Sequence, residues 1–214
     1  VDPDNPDIDD RLLWSHSVNE RYEHPGFPLM RQLPNGKRAM RVHSNSIFLN
    51  GNGSSVEGDR PFLDKLNLVK FERERLFKCD EDSYEAVVAL LSDDGSEYVT
   101  RHETENEHPN YYSRKVGELE RQPLTEFKDP AKSLREVQKK LITYERADGV
   151  MLNCMLHLPP GYDLENPVPL PTILWAYPRA YTLGRMAGQV SNSPYRFSTF
   201  AGASPRFLAL QGYA

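Results

Sequence analysis

LITYERADGVMLNCMLHLPPGY, residues 141–162, is where the chain changes character. Met151, Asn153, Met155 and His157 alternate with Leu152, Cys154, Leu156 and Leu158, the two-residue period of a strand. Asp148-Gly149 supplies a turn before this run and Pro159-Pro160-Gly161 ends it, so the stretch reads as strand, turn, strand. PTILWAYP (Pro171–Pro178) follows as an apolar run bounded by prolines, the pattern of a strand buried on both faces of a mostly parallel sheet. Ser204–Leu210 reads as a helix with Pro205 in its first turn. Gly212-Tyr213-Ala214 begins a further strand. Hairpin, buried strand, helix and strand together open an α/β domain.

The charge changes at the same place. From Ala147 to Ala214 only 7 of 68 residues are charged, against 50 of the preceding 146. A usual soluble domain is about 25% charged, so the two parts lie on either side of the norm and two structural units are expected. Upstream, DPAKSLREVQKKL (Asp129–Leu141) spaces Leu134, Val137 and Leu141 as a helix does, behind an Asp-Pro start signal. Before it come short runs with turn signals between them. RLLW (Arg11–Trp14) is a strand candidate. Leu29–Val42 is a hairpin around Pro34-Asn35-Gly36, Ser46–Gly53 a strand entering an Asn-Gly turn, and Arg60–Leu68 with Glu74–Asp80 a pair. Tyr84–Thr104 is a hairpin turning at Asp93-Asp94-Gly95, and Asn110–Phe127 holds one or two more strands. Strands of this length and spacing suggest a sandwich, barrel or propeller.

Composition removes several classes. A net charge of −5 without a basic stripe argues against a dedicated binder of nucleic acid or anionic membrane. No apolar run approaches the roughly 18 residues of a spanning helix, and 38% hydrophobic residues are too many for wholesale disorder. Cys79 and Cys154 read as small buried hydrophobes. LNGNGSSVEGD (Leu49–Asp59) lacks the lysine of a phosphate loop and reads as a turn. HETENEH (His102–His108) lacks the spacing of a zinc motif and reads as a solvated loop. No cofactor and no metal are called for. The chain begins at Val1 and stops inside the apolar FLALQGYA, so it is expected to be a piece of a longer protein.

G-x-S-x-G is absent, and Ser204 in Gly-Ala-Ser-Pro-Arg reads as a helix cap. The loop beyond the buried strand, Trp175–Phe197, is richer in chemistry. Ligands collect at the carboxyl edge of open α/β sheets. Tyr177 there is either a hydroxyl donor to an oxyanion or a strand-end aromatic packed on a helix, and the residues alone leave both open. Arg179 and Arg185 could favour an acidic side chain or serve as surface arginines.

YERADGVMLNCMLHLPPGYD (Tyr144–Asp163), PLPTILWAYPRAY (Pro169–Tyr181) and AGQVSNSPYRF (Ala187–Phe197) together resemble the glutamyl endopeptidase branch of the prolyl oligopeptidase family of serine peptidases. Upstream, PGFPLMRQLPNGKRAM, LNGNGSSVEGDRPFLD and SYEAVVALLSDD look like propeller blades of that branch. The resemblance implies the closing blades of a β-propeller over residues 1–128, a connecting helix or linker over 129–140, and the start of an α/β-hydrolase domain over 141–214. It implies Tyr177 as the oxyanion donor, a Ser-His-Asp triad beyond Ala214, and hence no activity of this piece alone. Arg179 and Arg185 are the substrate-binding candidates. The implied partner is a peptide or unfolded protein, with no nucleic acid, membrane or cofactor; nothing fixes the oligomeric state or the compartment. Cleavage after Glu is suggested by the branch's name. A propeller-type interaction module with a non-catalytic hydrolase half, or an esterase of the same fold, are the alternatives.

Overall fold

The computed structural model describes residues 12–176 and 186–214. Its N-terminal part holds β1 (Phe27–Pro28), β2 (Met30–Gln32), β3 (Arg38–Met40), β4 (Val42–His43), β5 (Ser46–Gly51), β6 (Ser54–Ser55), β7 (Gly58–Asp59), β8 (Phe62–Asn67) and β9 (Arg73–Lys78). Next come β10 (Tyr84–Leu90), β11 (Glu97–Glu103), β12 (Asn110–Lys115) and β13 (Arg121–Pro123). A 3-10 helix at Lys132–Glu136 leads to β14 (Gln138–Glu145) and β15 (Met151–Leu158), and a second 3-10 helix spans Pro205–Gln211. The described residues are thus mostly β-sheet with little helix, and no sheet among them closes into a barrel.

Two antiparallel sheets dominate. The first runs β1-β5-β8-β9, with β4 also on β5; the second is the meander β10-β11-β12-β13. Alternation along β5 sends Phe48 to one face and Ile47 and Leu49 to the other. Phe48 packs with Leu63, Phe77, Cys79, Val87, Leu90 and Tyr98, a core shared by both sheets. Ile47 and Leu49 join Leu66 in a separate cluster on the far face. The first sheet is therefore covered on both faces. In β10 a register shift between Val87 and Ala89 leaves Val88 exposed and returns Leu90 to the shared core, the usual effect of an extra residue in one strand.

The expected hairpins form. Met30 faces Met40 around a turn in which Gly36 takes φ +78°, a left-handed conformation open to glycine at little cost. β14 and β15 pair from Gln138↔Leu158 to Glu145↔Met151, with Gly149 at φ +83° in the turn. Three expectations are corrected. RLLW forms no strand over its described residues 12–14, where Leu12 is 78% exposed. The helix expected over Asp129–Leu141 shrinks to five residues, because strand β14 takes the chain from Gln138: pairing with β15 outweighs a weak local helical preference. Pro171–Ala176, the described part of the run read as a doubly buried strand, is assigned no strand, and Leu174 and Trp175 are 85% and 67% exposed.

That segment nonetheless begins a pairing. Ala214 donates its N–H to the Pro171 carbonyl (2.9 Å) and accepts from Ile173 N–H (2.9 Å). Two bonds from one residue to the residues flanking Thr172 are the hydrogen-bond pattern of a parallel pair. Between the partners, Ser204 caps Pro205–Gln211 by accepting from Arg206 N–H, and Gly212 closes it at φ +87°, so the cap reading of Ser204 holds.

Candidate functional site

Tyr177, Arg179 and Arg185 lie outside the described residues. The stretch that follows them in sequence, Ala187–Phe197, is described and ties three parts of the chain together. Gln189 donates to Glu20 (2.6 Å) and accepts from Arg21 N–H (2.8 Å), while Val190 N–H donates to the Tyr22 hydroxyl (2.8 Å). Asn192 N–H donates to the Asp59 carboxylate (3.0 Å), and Asp59 N–H returns a bond to the Asn192 carbonyl (2.9 Å). Asn192 adopts φ +110° to make this exchange. On the other side Asn153 of β15 donates to the Gly188 carbonyl (2.8 Å). A Cβ on Gly188 would fall 1.2 Å from the Met151 carbonyl oxygen, so only glycine lets the loop lie this close to β15. The loop sequence therefore works as a clamp between the segment before β1 and the β6–β7 pair on one side and the β14–β15 hairpin on the other.

The clamp's C-terminal end walls a partly open cavity of about 260 Å³, lined also by residues of β11, β14 and β15 and by Arg206 of the 3-10 helix. Glu103, at the end of β11, is almost fully buried and accepts from Arg101 (2.9 Å), Arg196 (3.3 Å) and Phe197 N–H (3.2 Å). Arg196 also lies over the Tyr84 ring. Lys139 donates to the Arg196 carbonyl, and Arg206 to the Thr199 carbonyl (3.1 Å). His157 sits opposite Lys139 across the hairpin. Its Nδ1 is buried and finds no hydrogen-bond partner among the described residues. Burial first, then the positive charges of Arg206 and Lys139, push the His157 pKa down to about 4, so this imidazole is neutral at pH 7. Burial lowers Lys139 as well, with Glu105 acting in the opposite direction.

Four cationic side chains and one carboxylate line this space. Sequence reading missed it because its members stand far apart in the chain. His157 looked isolated, and HETENEH was expected to be a solvated loop, whereas His102 and Glu103 are buried within β11. The one available signal was the strand alternation that sets His157 beside Met155 and Asn153 on one face of β15.

A second, more apolar cavity of about 570 Å³ lies between β15, residues 172–175 and the 3-10 helix. Among the described residues no group of three or more His, Cys, Asp and Glu is arranged to hold a metal ion, and no helix is long and apolar enough to cross a membrane.

No family model matches the chain. Curated relatives do, and the chain is homologous to them along its length. Both relatives carry the name probable glutamyl endopeptidase, chloroplastic. The one from Oryza sativa subsp. japonica is 35% identical over 228 residues, and that from Arabidopsis thaliana 31% over 233 residues. The matches take in 100% and 99% of this chain, which spans about a quarter (24%) of the length of each relative. The resemblance to the glutamyl endopeptidase branch therefore holds along the whole chain. Among solved structures, AtxE2 isopeptidase is similar at a TM-score of 0.41 and 12% identity, over 70% of this chain and 24% of the other.

Proposed function

We propose that the chain is part of a serine peptidase of the prolyl oligopeptidase family that cleaves peptide bonds after Glu. The observation that carries this reading is homology to proteins named probable glutamyl endopeptidase over 99–100% of the chain. Residues 1–128 are then the closing blades of a β-propeller, residues 129–140 the connection, and residues 141–214 the opening of an α/β-hydrolase domain. Two antiparallel sheets stacked through a common core, the first covered on both faces, suit neighbouring blades. The hydrogen bonds of Ala214 around Thr172 suit the first pairing of a parallel sheet.

In the whole protein a serine from the later part of the domain attacks the peptide carbonyl. A histidine takes the serine proton and passes it to the leaving amine, and an aspartate orients that histidine. Charge builds on the carbonyl oxygen, where the Tyr177 hydroxyl donates a hydrogen bond beside a backbone N–H. Substrates are peptides or unfolded chains, and the chemistry needs no cofactor. Arg179 and Arg185, in the same loop, are the nearest candidates in sequence to attract an acidic side chain.

The test is Tyr177→Phe in the full-length protein, assayed on a peptide cleaved after Glu. Loss of one oxyanion donor lowers kcat by on the order of 10²-fold, with KM little changed. An unchanged kcat excludes the role of Tyr177, and failure of the wild-type protein to cut any peptide excludes the peptidase.

A further inference from the structure

The cavity between β11, the β14–β15 hairpin and the clamp has an unbalanced charge. Glu103 is already engaged by Arg101, Arg196 and Phe197 N–H. Among the described residues Lys139 and Arg206 form no ion pair; each gives one bond to a backbone carbonyl. An ammonium carries three donors and a guanidinium five, so both keep donors to spare. Glu105 and Arg135 are further charges that act on Lys139, from outside the lining. His157 adds a buried ring nitrogen without a partner, which becomes a donor in the Nδ1–H tautomer. Spare donors around a partly enclosed space call for an acceptor, and a negative one removes the excess charge at the same time. The volume is several times the roughly 30 Å³ that one water occupies, so a planar group on a short stem fits.

We propose that this cavity is a binding site for a carboxylate, the acidic side chain of a peptide substrate, held by Lys139 and Arg206 with the His157 ring as a neutral donor. The carboxylate assignment stands on the cavity alone; the peptide as its source rests on the peptidase reading. The site lies where the hairpin meets the meander sheet.

The experiment uses the full-length protein and two blocked peptides, acetyl-Ala-Glu-Ala-amide and its Gln counterpart, titrated by calorimetry, with products analysed separately. Wild type binds the Glu peptide on the order of tenfold more tightly than the Gln peptide, the scale of one charge-assisted hydrogen bond. Lys139→Met and Arg206→Met each bring that ratio close to one and leave the Gln peptide's affinity as it was. Lys139→Arg keeps the preference, which separates lost charge from lost folding. No preference in wild type, or an unchanged ratio in both Met variants, overturns the site. Free glutarate binding as tightly as the Glu peptide overturns the peptide as ligand. A preference that survives while no peptide is cut supports the carboxylate site and overturns the peptidase. Peptide cut without any Glu preference does the reverse.

Discussion

Among the described residues, each carboxylate buried in this β-rich interior meets an arginine. Glu85 is 1% exposed and receives a two-pronged grip from Arg114, Nε to Oε1 and Nη2 to Oε2 at 2.7 Å each, with Thr100 as a third donor. Burial pushes the Glu85 carboxyl up, but the bonds from Arg114 and Thr100 and the Arg114 charge outweigh it and hold it below the ordinary carboxylate range. A carboxyl depressed in the folded state adds stability above its unfolded pKa and loses it as pH falls through the folded value. Arg114→Met removes both charge-assisted bonds and leaves that carboxylate buried with only Thr100 and the more distant Arg121 (3.6 Å), and it should lower unfolding free energy by about 3 kcal/mol at pH 7. Urea denaturation checks this, and the gap between variant and wild type should narrow once the pH is low enough to protonate Glu85. Such pairs were invisible in the sequence, since Glu85 and Arg114 are 29 positions apart and each is ordinary in its own strand.

At the scale of elements, much was legible. The Asn35-Gly36, Asp148-Gly149 and Asp93-Asp94-Gly95 turns stand where expected, because a turn needing positive φ advertises itself in a few adjacent residues, whereas the turn expected at the end of Ser46–Gly53 falls instead at Val56-Glu57. The reading failed where a long-range partner decided the outcome. Val137 and Leu141 have helical spacing with Leu134, yet pairing with β15 takes the chain from Gln138. The Ala187–Phe197 stretch was legible only as a family signature; its use as a clamp depends on Glu20, Tyr22, Asp59 and Asn153, none of them close in sequence. Gly188→Ala puts a methyl group into the Met151 carbonyl. Overpacking of this kind costs about 1–3 kcal/mol, and it should also free the loop. A lower urea midpoint together with faster proteolytic cutting between residues 186 and 199 is the expected result; unchanged cutting would show that the clamp has slack.

At the scale of the molecule, the two parts announced by the step in charge are joined, and their surfaces differ. The first sheet buries both faces, whereas Ile173, Leu174 and Trp175 present a run of apolar side chains at 41%, 85% and 67% exposure. If the rest of the hydrolase sheet covers that run in the whole protein, Trp175 reports it. With Trp14→Phe as background, acrylamide should quench Trp175 in the 214-residue chain nearly as well as a free indole. Quenching should be several-fold weaker in a full-length protein that keeps Trp175 as its single tryptophan, and equal quenching in the two would remove the covering sheet from the proposal. The candidate site shows what sequence can offer at this scale. Tyr177 was named from its place after an apolar run, while the cavity of Lys139, His157 and Arg206 needed three separate elements to converge.

The clamp also sets an order of events. The bond from Gln189 to Glu20 closes a loop of 169 positions, and contacts of that span come late, since the entropy of closing the chain must be met before they return anything. On the ribosome, at roughly 5–20 residues per second, Glu20 waits on the order of 10–30 s for its partner to be made. Over that interval the shared core of the two antiparallel sheets is already in place to hold them together. Local hairpins with tight turns are what can form in that time, and their concentration in the first 120 residues makes the early part of the chain able to wait.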